Sequence, residues 1–212
     1  MYDMKKEAAY RFIKQHIMNG TWSTGSAINI NKVMKELDIS RTPVNKALRQ
    51  LESEGFLTII PQVGVFIKRP DEQEVYERLL ICVQLDAFMT GHAALTITEE
   101  KLNELEKTLE KMENPVLTNE EYGELNTSFH STIIYASGLD YMINLTKQFW
   151  DYLNYVSNPS DFFFDEVRNR SQIEHWMIYQ SLKDKDGEMA KKVMERHMSR
   201  VAETVKHNLA LR

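Results

Sequence analysis

The sequence predicts a mainly α-helical protein in which three short helices and a β-hairpin precede an all-helical bundle of about six helices. The 212 residues include only 8 Gly and 5 Pro and are rich in Leu, Glu, Lys and Met, which favour helices. Charge divides the chain: residues 1–70 hold 11 Lys and Arg against 6 Asp and Glu, whereas residues 71–212 hold 15 against 25. We therefore expect one domain over residues 1–70 and a second over residues 71–212.

The composition favours a cytoplasmic protein without a membrane segment. A hydrophobic fraction of 42% and a charged fraction of 27% are typical of soluble globular chains. No run approaches the roughly 18 apolar residues of a membrane span, and the N-terminus lacks the apolar core of a signal peptide. Cys82 is the one cysteine, so no intramolecular disulfide can form, which fits a reducing compartment. The basic first part would attract a polyanion that the acidic second part would repel.

Two helices and a tight turn are predicted near the N-terminus. Residues 4–18 carry a helical apolar face that Asn19-Gly20 ends. Residues 21–27 are rich in Ser, Thr and Gly and should form a loop. Asn29 or Asn31 can cap a second helix that runs to Leu37. The three residues 38–40 then turn into a third helix, and two short helices joined in this way indicate a helix-turn-helix.

The third helix covers Ser40–Leu51 and has two distinct faces. Pro43 suits its first turn, and Ser40 or Thr42 can cap it. Four apolar residues lie at i, i+3, i+4 and i+7, namely Val44, Ala47, Leu48 and Leu51. The other faces carry hydrogen-bond donors and no acid: Arg41, Thr42, Asn45, Lys46, Arg49 and Gln50. Such a helix can lie in a DNA major groove, although a merely solvated face has the same pattern.

A β-hairpin follows the third helix. Glu54-Gly55 ends that helix, residues 56–60 and 65–67 are rich in β-formers, and Pro61–Gly64 is turn material. Three helices and a hairpin make a winged helix-turn-helix, with Gln62 and Gly64 at the tip of the wing. A linker starts at residues 68–70.

The second domain is predicted to be helical throughout. Capping residues mark three helix starts: Thr98, a capping box formed by Thr118 and Glu121, and Asp186. The six predicted helices cover residues 72–95, 98–112, 118–137, 139–155, 162–183 and 186–209.

Three histidines lie at apolar positions of three different helices in this domain: His130, His175 and His197. Asn126 precedes His130 by four residues, so the two share one helix face. Facing helices of a bundle can bring such side chains onto one metal ion. The alternative is that each histidine is a hydrogen-bonded core residue. Glu174, beside His175, is expected on a neighbouring face of its helix.

Residues 20–67 resemble the DNA-binding domain of GntR-type bacterial transcription regulators. The matching residues are Gly20 and Gly25, Val33 and Leu37, the run Ser40-Arg41-Thr42-Pro43-Val44, Ala47-Leu48, Leu51-Glu52, Glu54-Gly55-Phe56, and Gly64-Val65-Phe66-Ile67. The resemblance implies operator binding through Arg41, Thr42, Asn45, Lys46, Arg49, Gln62 and Gly64. Asn45 stands where the family usually has Arg, and Pro61–Val63 where it has a basic wing. Guanine contacts should therefore depend on Arg41 and Arg49.

Residues 72–207 resemble the FCD-type ligand-sensing domain of the FadR subfamily. The motifs are Asn126-x-x-Phe129-His130, Glu174-His175 and, 22 residues after that histidine, His197. Metal-binding members use one Asp and three His, which implies a divalent ion such as Zn or Ni on the three histidines. Asn126 replaces the Asp, so the site is either completed by Asn126, water or effector, or has lost its metal. Arg78 and Asp86 are candidate effector contacts on the domain's first helix.

Three functions are compatible with these features. The resemblance favours a ligand-responsive, homodimeric transcription regulator, and a repressor over an activator. Its helical domain would bind a small carboxylate effector. A DNA-binding dimer whose helical domain has lost metal and effector binding is the second. A metalloenzyme with a three-histidine site is a remote third, because no general base is indicated and a DNA-reading domain is attached; we therefore expect no enzyme.

Overall fold

The computed structural model describes residues 2–156 and 165–209 and confirms a mainly α-helical chain. Within these residues there are nine α-helices and one two-stranded sheet. The described chain forms two compact units, residues 2–71 with residues 154–156, and residues 72–153 with residues 165–209.

The first unit is a winged helix-turn-helix, as predicted. Its elements are α1 (Tyr2–Met18), α2 (Ile30–Leu37), α3 (Arg41–Ser53), β1 (Leu57–Ile60) and β2 (Gly64–Ile67). Asn29 caps α2 by accepting a hydrogen bond from the Lys32 backbone N–H. Ser40 occupies the N-cap of α3, but among the described residues its side chain makes no capping hydrogen bond, contrary to expectation.

Apolar faces of the three helices and the hairpin form the core of this unit. The buried side chains include Ile13, Ile17, Val33, Val44, Leu48, Leu51, Phe56 and Leu57. β1 and β2 pair antiparallel, from Leu57 opposite Ile67 to Ile60 opposite Gly64. Residues 25–28, of which 25–27 were expected as loop, run along β2 and exchange backbone hydrogen bonds with Val65 and Ile67. The Glu52 carboxylate accepts a hydrogen bond from the Ile59 backbone N–H, which ties the hairpin to α3.

The second unit contains six helices. They are α4 (Glu72–Thr96), α5 (Glu99–Met112), α6 (Asn119–Ala136), α7 (Asp140–Val156), α8 (Asp165–Lys183) and α9 (Gly187–Leu209). The predicted caps are confirmed: Thr98 and Asp186 accept backbone N–H groups, and Thr118 forms a reciprocal capping box with Glu121. The predicted start of the fifth helix, at Phe162, lies outside the described residues.

Helices α4 and α9 pack antiparallel along their length. Tyr76 donates a hydrogen bond to Glu203 at 2.6 Å, and further along the pair the glycines Gly91 and Gly187 meet. A Cβ on Gly91 would lie 2.9 Å from the Gly187 carbonyl oxygen, and a Cβ on Gly187 would lie 2.6 Å from that of Gly91. Both distances are too short for real atoms, so the close crossing requires glycine on both helices.

One described helix, Glu72–Thr96, is long and apolar enough to cross a membrane by length and composition, with a mean hydropathy of 1.4 over 18 residues. Half of that window is buried inside the protein, so part of its apolar surface is covered by the packing of the helix. The expectation that no segment approaches a membrane span therefore does not hold for α4, which is long and apolar enough by composition. The packing of α4 inside the protein is the alternative explanation for its apolar residues.

Candidate functional site

Three helices bring the predicted histidines together in the core of the second unit. His130 lies on α6, His175 on α8 and His197 on α9, and their side chains are 7%, 0% and 2% exposed. One ring nitrogen from each lies within 4.8 Å of the other two. Ring centroids are 4.7 to 5.2 Å apart, and Phe129 packs against His130 and His175. The convergence that the sequence could only suggest is therefore present.

The donor set fits a divalent transition metal. Neutral imidazole is a preferred ligand of zinc and nickel, and three histidines with one open position form a common zinc site. In a tetrahedral site with metal–nitrogen bonds of about 2.0–2.1 Å, ligand nitrogens lie roughly 3.3 Å apart, so small side-chain rotations would close this cluster. Both ring nitrogens of His175 and Nδ1 of His130 are buried without a hydrogen-bond partner in the described part of the chain. Buried polar atoms rarely remain unsatisfied, and these nitrogens are available to a ligand.

Glu174 orients His197 and is itself held by Arg200. The Glu174 carboxylate accepts a hydrogen bond from His197 Nδ1 at 2.8 Å, which leaves Nε2 of that ring for a ligand. Arg200 donates to both carboxylate oxygens from Nε at 3.1 and 3.2 Å and to one of them from Nη2 at 2.6 Å. Arg200 also donates to the Ser171 hydroxyl. The contact thus joins α8 to α9 at the edge of the cluster.

Burial sets the protonation of the cluster. Together with the nearby His197, it lowers the pKa of His130 to about 3. Burial also lowers the pKa of His175 well below its usual value and lowers that of His197, against the raising effect of Glu174. Although burial raises the pKa of Glu174, hydrogen bonds from His197 and Arg200 outweigh it and lower this pKa to about 2. At neutral pH the three rings are therefore uncharged and their lone pairs are available.

The other predicted ligands lie as follows. Asn126 is half-buried on α6, one helical turn before His130. Asp86 is fully buried on α4, where Trp150 Nε1 donates to it at 3.2 Å and burial raises its pKa to about 7. Arg78 pairs with Glu74 and lies over the Tyr152 ring at 4.1 Å. Among the described residues, the cluster of potential ligand atoms contains the three histidines and no carboxylate.

Sequence reasoning missed the Glu174–Arg200 pair. Glu174 does lie on the adjoining face of α8, as expected, but that face is turned towards α9 and not to solvent. The available signal was the spacing His197-x-x-Arg200, which places a cation one turn after a histidine on the same helix. Whether α8 and α9 are neighbours at this level could not be read from the sequence.

The candidate DNA-reading residues of α3 share its outer surface. The apolar stripe is buried, and the side chains on the remaining faces are exposed: Arg41, Thr42, Asn45, Lys46 and Arg49. At the wing, Gln62 is exposed and adopts a positive φ of 62°, and half-buried Gly64 opens β2 opposite Ile60. The helix and the hairpin tip therefore offer polar groups to solvent from one small domain.

Sequence comparison agrees with both parts of this description. The profile of the FCD domain matches residues 77–200, and that of bacterial regulatory proteins of the gntR family matches residues 5–67. The chain is 29% identical to the helix-turn-helix transcriptional regulator YdhC of Bacillus subtilis, covering 94% of this chain and 90% of that protein. It is 24% identical to the transcriptional repressor RspR of Escherichia coli, covering 93% and 87%.

Structure comparison supports the fold. A GntR regulator from Rhodococcus sp. RHA1 superposes with a TM-score of 0.68 at 17% identity, covering 95% of this chain and 97% of that one. These relatives are regulators, which confirms the expectation that the chain is no enzyme. The protein therefore belongs to the FCD-domain family of gntR-type bacterial regulatory proteins and is a DNA-binding transcription regulator.

Proposed function

We propose that this regulator is a cytoplasmic homodimer that represses transcription by binding double-stranded operator DNA through residues 1–70. Residues 71–212 bind a small carboxylate effector and change the affinity for DNA. The observation that carries the proposal is the convergence of three buried imidazoles in a domain that follows a helix with an exposed, acid-free polar face. The effector biases the spacing of the two reading heads, because it binds one arrangement better than the other.

DNA contacts are divided between α3 and the wing. Arg41 and Arg49 donate to guanine edges or phosphates, Thr42 and Lys46 hold the phosphate backbone, and Asn45 reads adenine. Gln62 and Gly64 bring the wing to the adjacent backbone. All these residues are exposed except the half-buried Gly64, and this exposure supports their assignment as DNA contacts.

His130, His175 and His197, with Asn126 beside them, would hold a divalent ion such as zinc or nickel. When bound, the ion supplies a Lewis-acid centre that can coordinate a carboxylate of the effector. Glu174 fixes the tautomer of His197, and Phe129 closes one side of the site. Arg78 and Asp86 on α4 are further candidate effector contacts, although Arg78 already pairs with Glu74.

An apolar stripe on α4 supports dimerisation. Ile81, Phe88 and Leu95 are 43%, 49% and 69% exposed and lie seven residues apart, on one face of the helix. The stripe is symmetrical about Phe88, so an antiparallel two-fold pairing of two α4 helices would set Ile81 of each copy against Leu95 of the other. Phe88→Glu should give monomers in analytical ultracentrifugation, whereas Tyr141→Glu, at an exposed site on α7, should not. A dimeric Phe88→Glu variant would exclude this interface.

The decisive experiment measures DNA binding and thermal stability of the full-length protein together. Fluorescence anisotropy uses DNA from upstream of the protein's own gene, with Co²⁺ or a chelator, across a panel of carboxylates and sugar acids. We expect metal with one acid to shift both readouts; a ligand at 100 times its Kd stabilises by about 2.7 kcal/mol. His175→Ala should abolish the metal response and retain DNA binding, and His207→Ala should change neither. If no metal and no acid shifts either readout, the protein is instead a DNA-binding dimer that has lost effector binding.

A further inference from the structure

The ligand atoms of the buried histidine site carry no negative charge that could balance the charge of a cation. Its three ring donors are neutral, and among the described residues the cluster includes no carboxylate oxygen. The Glu174 carboxylate contacts the cluster only through Nδ1 of His197, the ring nitrogen that is not left for a ligand. Arg200 lies 2.6 Å from that carboxylate, and Arg170 lies 3.6 Å from it. The charge of Glu174 is therefore already matched by arginine and is not available to compensate an ion at the cluster.

Asn126 leaves this deficit in place. It lies one turn before His130 on the same face of α6 and is half-buried, so its amide is a candidate fourth ligand beside the three rings. An amide oxygen can coordinate an ion, but it carries no charge. A divalent ion bound by three imidazoles and an amide would hold two positive charges at rings that are at most 7% exposed. Burying uncompensated charge is strongly unfavourable, so a counter-anion must accompany the ion.

We propose that the cation and a small anion enter this site together, and that cation binding depends on the anion because the neutral Asn126 supplies no carboxylate. The proposal rests on the proposed metal site and adds its regulation: the protein responds to the simultaneous presence of a divalent cation and a carboxylate. Because coupling between two ligands is reciprocal, the anion raises the affinity for the cation by the same factor by which the cation raises the affinity for the anion. Each ligand alone binds more weakly than it does in the presence of the other.

The test compares Co²⁺ binding by the full-length protein in acetate and in perchlorate, a weakly coordinating anion, at equal ionic strength, by calorimetry and by the visible spectrum of bound cobalt. Acetate is the probe because it is a small carboxylate that chelates cobalt weakly. For the wild type we expect acetate to raise the Co²⁺ affinity by at least about fivefold, within the usual range of ligand coupling. Asn126→Asp supplies the missing charge within the chain, so it should bind Co²⁺ more tightly in perchlorate and lose most of the acetate effect. Asn126→Ala should keep the acetate effect.

The possible results distinguish a failure of the coupling between cation and anion from a failure of the metal site itself. Equal Co²⁺ affinity of the wild type in acetate and perchlorate would overturn the coupling while leaving the metal site intact. An acetate effect in Asn126→Asp as large as in the wild type would overturn the role of Asn126. If neither the wild type nor Asn126→Asp binds Co²⁺ in either salt, the metal site itself is wrong and the coupling falls with it. A native circular dichroism spectrum and unchanged DNA affinity show that each variant is folded.

Discussion

The recognition helix α3 and the histidine cluster present polar groups in opposite environments, α3 to solvent and the cluster within the protein core. Residues such as Arg41 and Arg49 project into water from a single helix, whereas His130, His175 and His197 come from three helices and are nearly inaccessible. In water the positive charge of an arginine costs little, so α3 can carry several donors side by side. In the core the same charge would be expensive, and the cluster accordingly uses neutral rings, while the carboxylate of Glu174 at its edge is paired with arginine. Exposure thus determines which chemistry each region can use.

The largest expected effect comes from breaking the ion pair of the buried region. Glu174→Ala leaves Arg200, whose side chain is 15% exposed, without its counter-charge, and we expect a loss of roughly 3–5 kcal/mol in the free energy of unfolding. Urea denaturation of the metal-free protein measures it. Glu124→Ala, at an exposed site on α6, should change stability by less than about 0.5 kcal/mol. Equal losses in the two variants would mean that the pair does not stabilise the cluster.

The corresponding change in the exposed region should affect binding and spare stability. Arg49→Ala removes one guanidinium contact, worth about 1–3 kcal/mol of DNA-binding free energy. Anisotropy with operator DNA at fixed salt measures the loss, and unfolding should be nearly unchanged because Arg49 is exposed. Lys192→Ala removes the same charge from an exposed position on α9. Equal weakening in both variants would indicate that net charge, and not this face of α3, drives binding.

Acid should destabilise the metal-free protein through the buried region. Burial depresses the pKa of His130 from 6.5 to about 3, so between these values the unfolded chain binds a proton that the folded chain does not. Stability is therefore present above pH 6.5 and is lost as pH falls, by up to about 1.4 kcal/mol per pH unit for each such histidine. His130→Gln should reduce the slope of stability against pH between pH 5 and 6.5. The exposed His207 provides the control, and an unchanged slope in His130→Gln would contradict the buried neutral ring.

The smallest effect concerns two helix caps of the DNA-binding unit that look alike in sequence. The Asn29 side chain accepts the Lys32 N–H, whereas the Ser40 hydroxyl makes no capping hydrogen bond among the described residues. Asn29→Ala should therefore cost about 1 kcal/mol of unfolding free energy. Ser40→Ala should cost at most a few tenths, since no bond is lost. Thermal unfolding monitored by calorimetry compares them, and a larger loss at Ser40 would mean that its cap forms in solution.

Local sequence patterns predicted the helices and strands because caps, turns and apolar periodicity involve residues that are close together in the chain. The capping box of Thr118 and Glu121, the cap at Asp186 and the apolar stripe of α3 each involve residues within one or two helical turns. The third helix and the hairpin also share a short connection, so the winged architecture followed from their order. The bridge at Ala27 was missed because its partner, Phe66, is distant in sequence.

Site residues were harder to predict where two helices had to be related. Glu174 and Arg200 are 26 residues apart and meet only because α8 packs on α9. The sequence showed a glutamate beside one histidine and an arginine near another, with nothing to indicate which faces were opposed. The same holds for Gly91 and Gly187, whose close approach is a property of the α4–α9 crossing.

The sequence by itself determined the helices, the winged hairpin, the two-part charge distribution and the identity of the candidate ligands, because periodicity, capping and composition act over a few residues. Only the tertiary structure decided that three histidines converge, that nitrogens of His130 and His175 lie buried without partners among the described residues, and that Arg200 neutralises Glu174. Those features depend on how α6, α8 and α9 pack, since burial and the pairing of charges are set by neighbours that are remote along the chain.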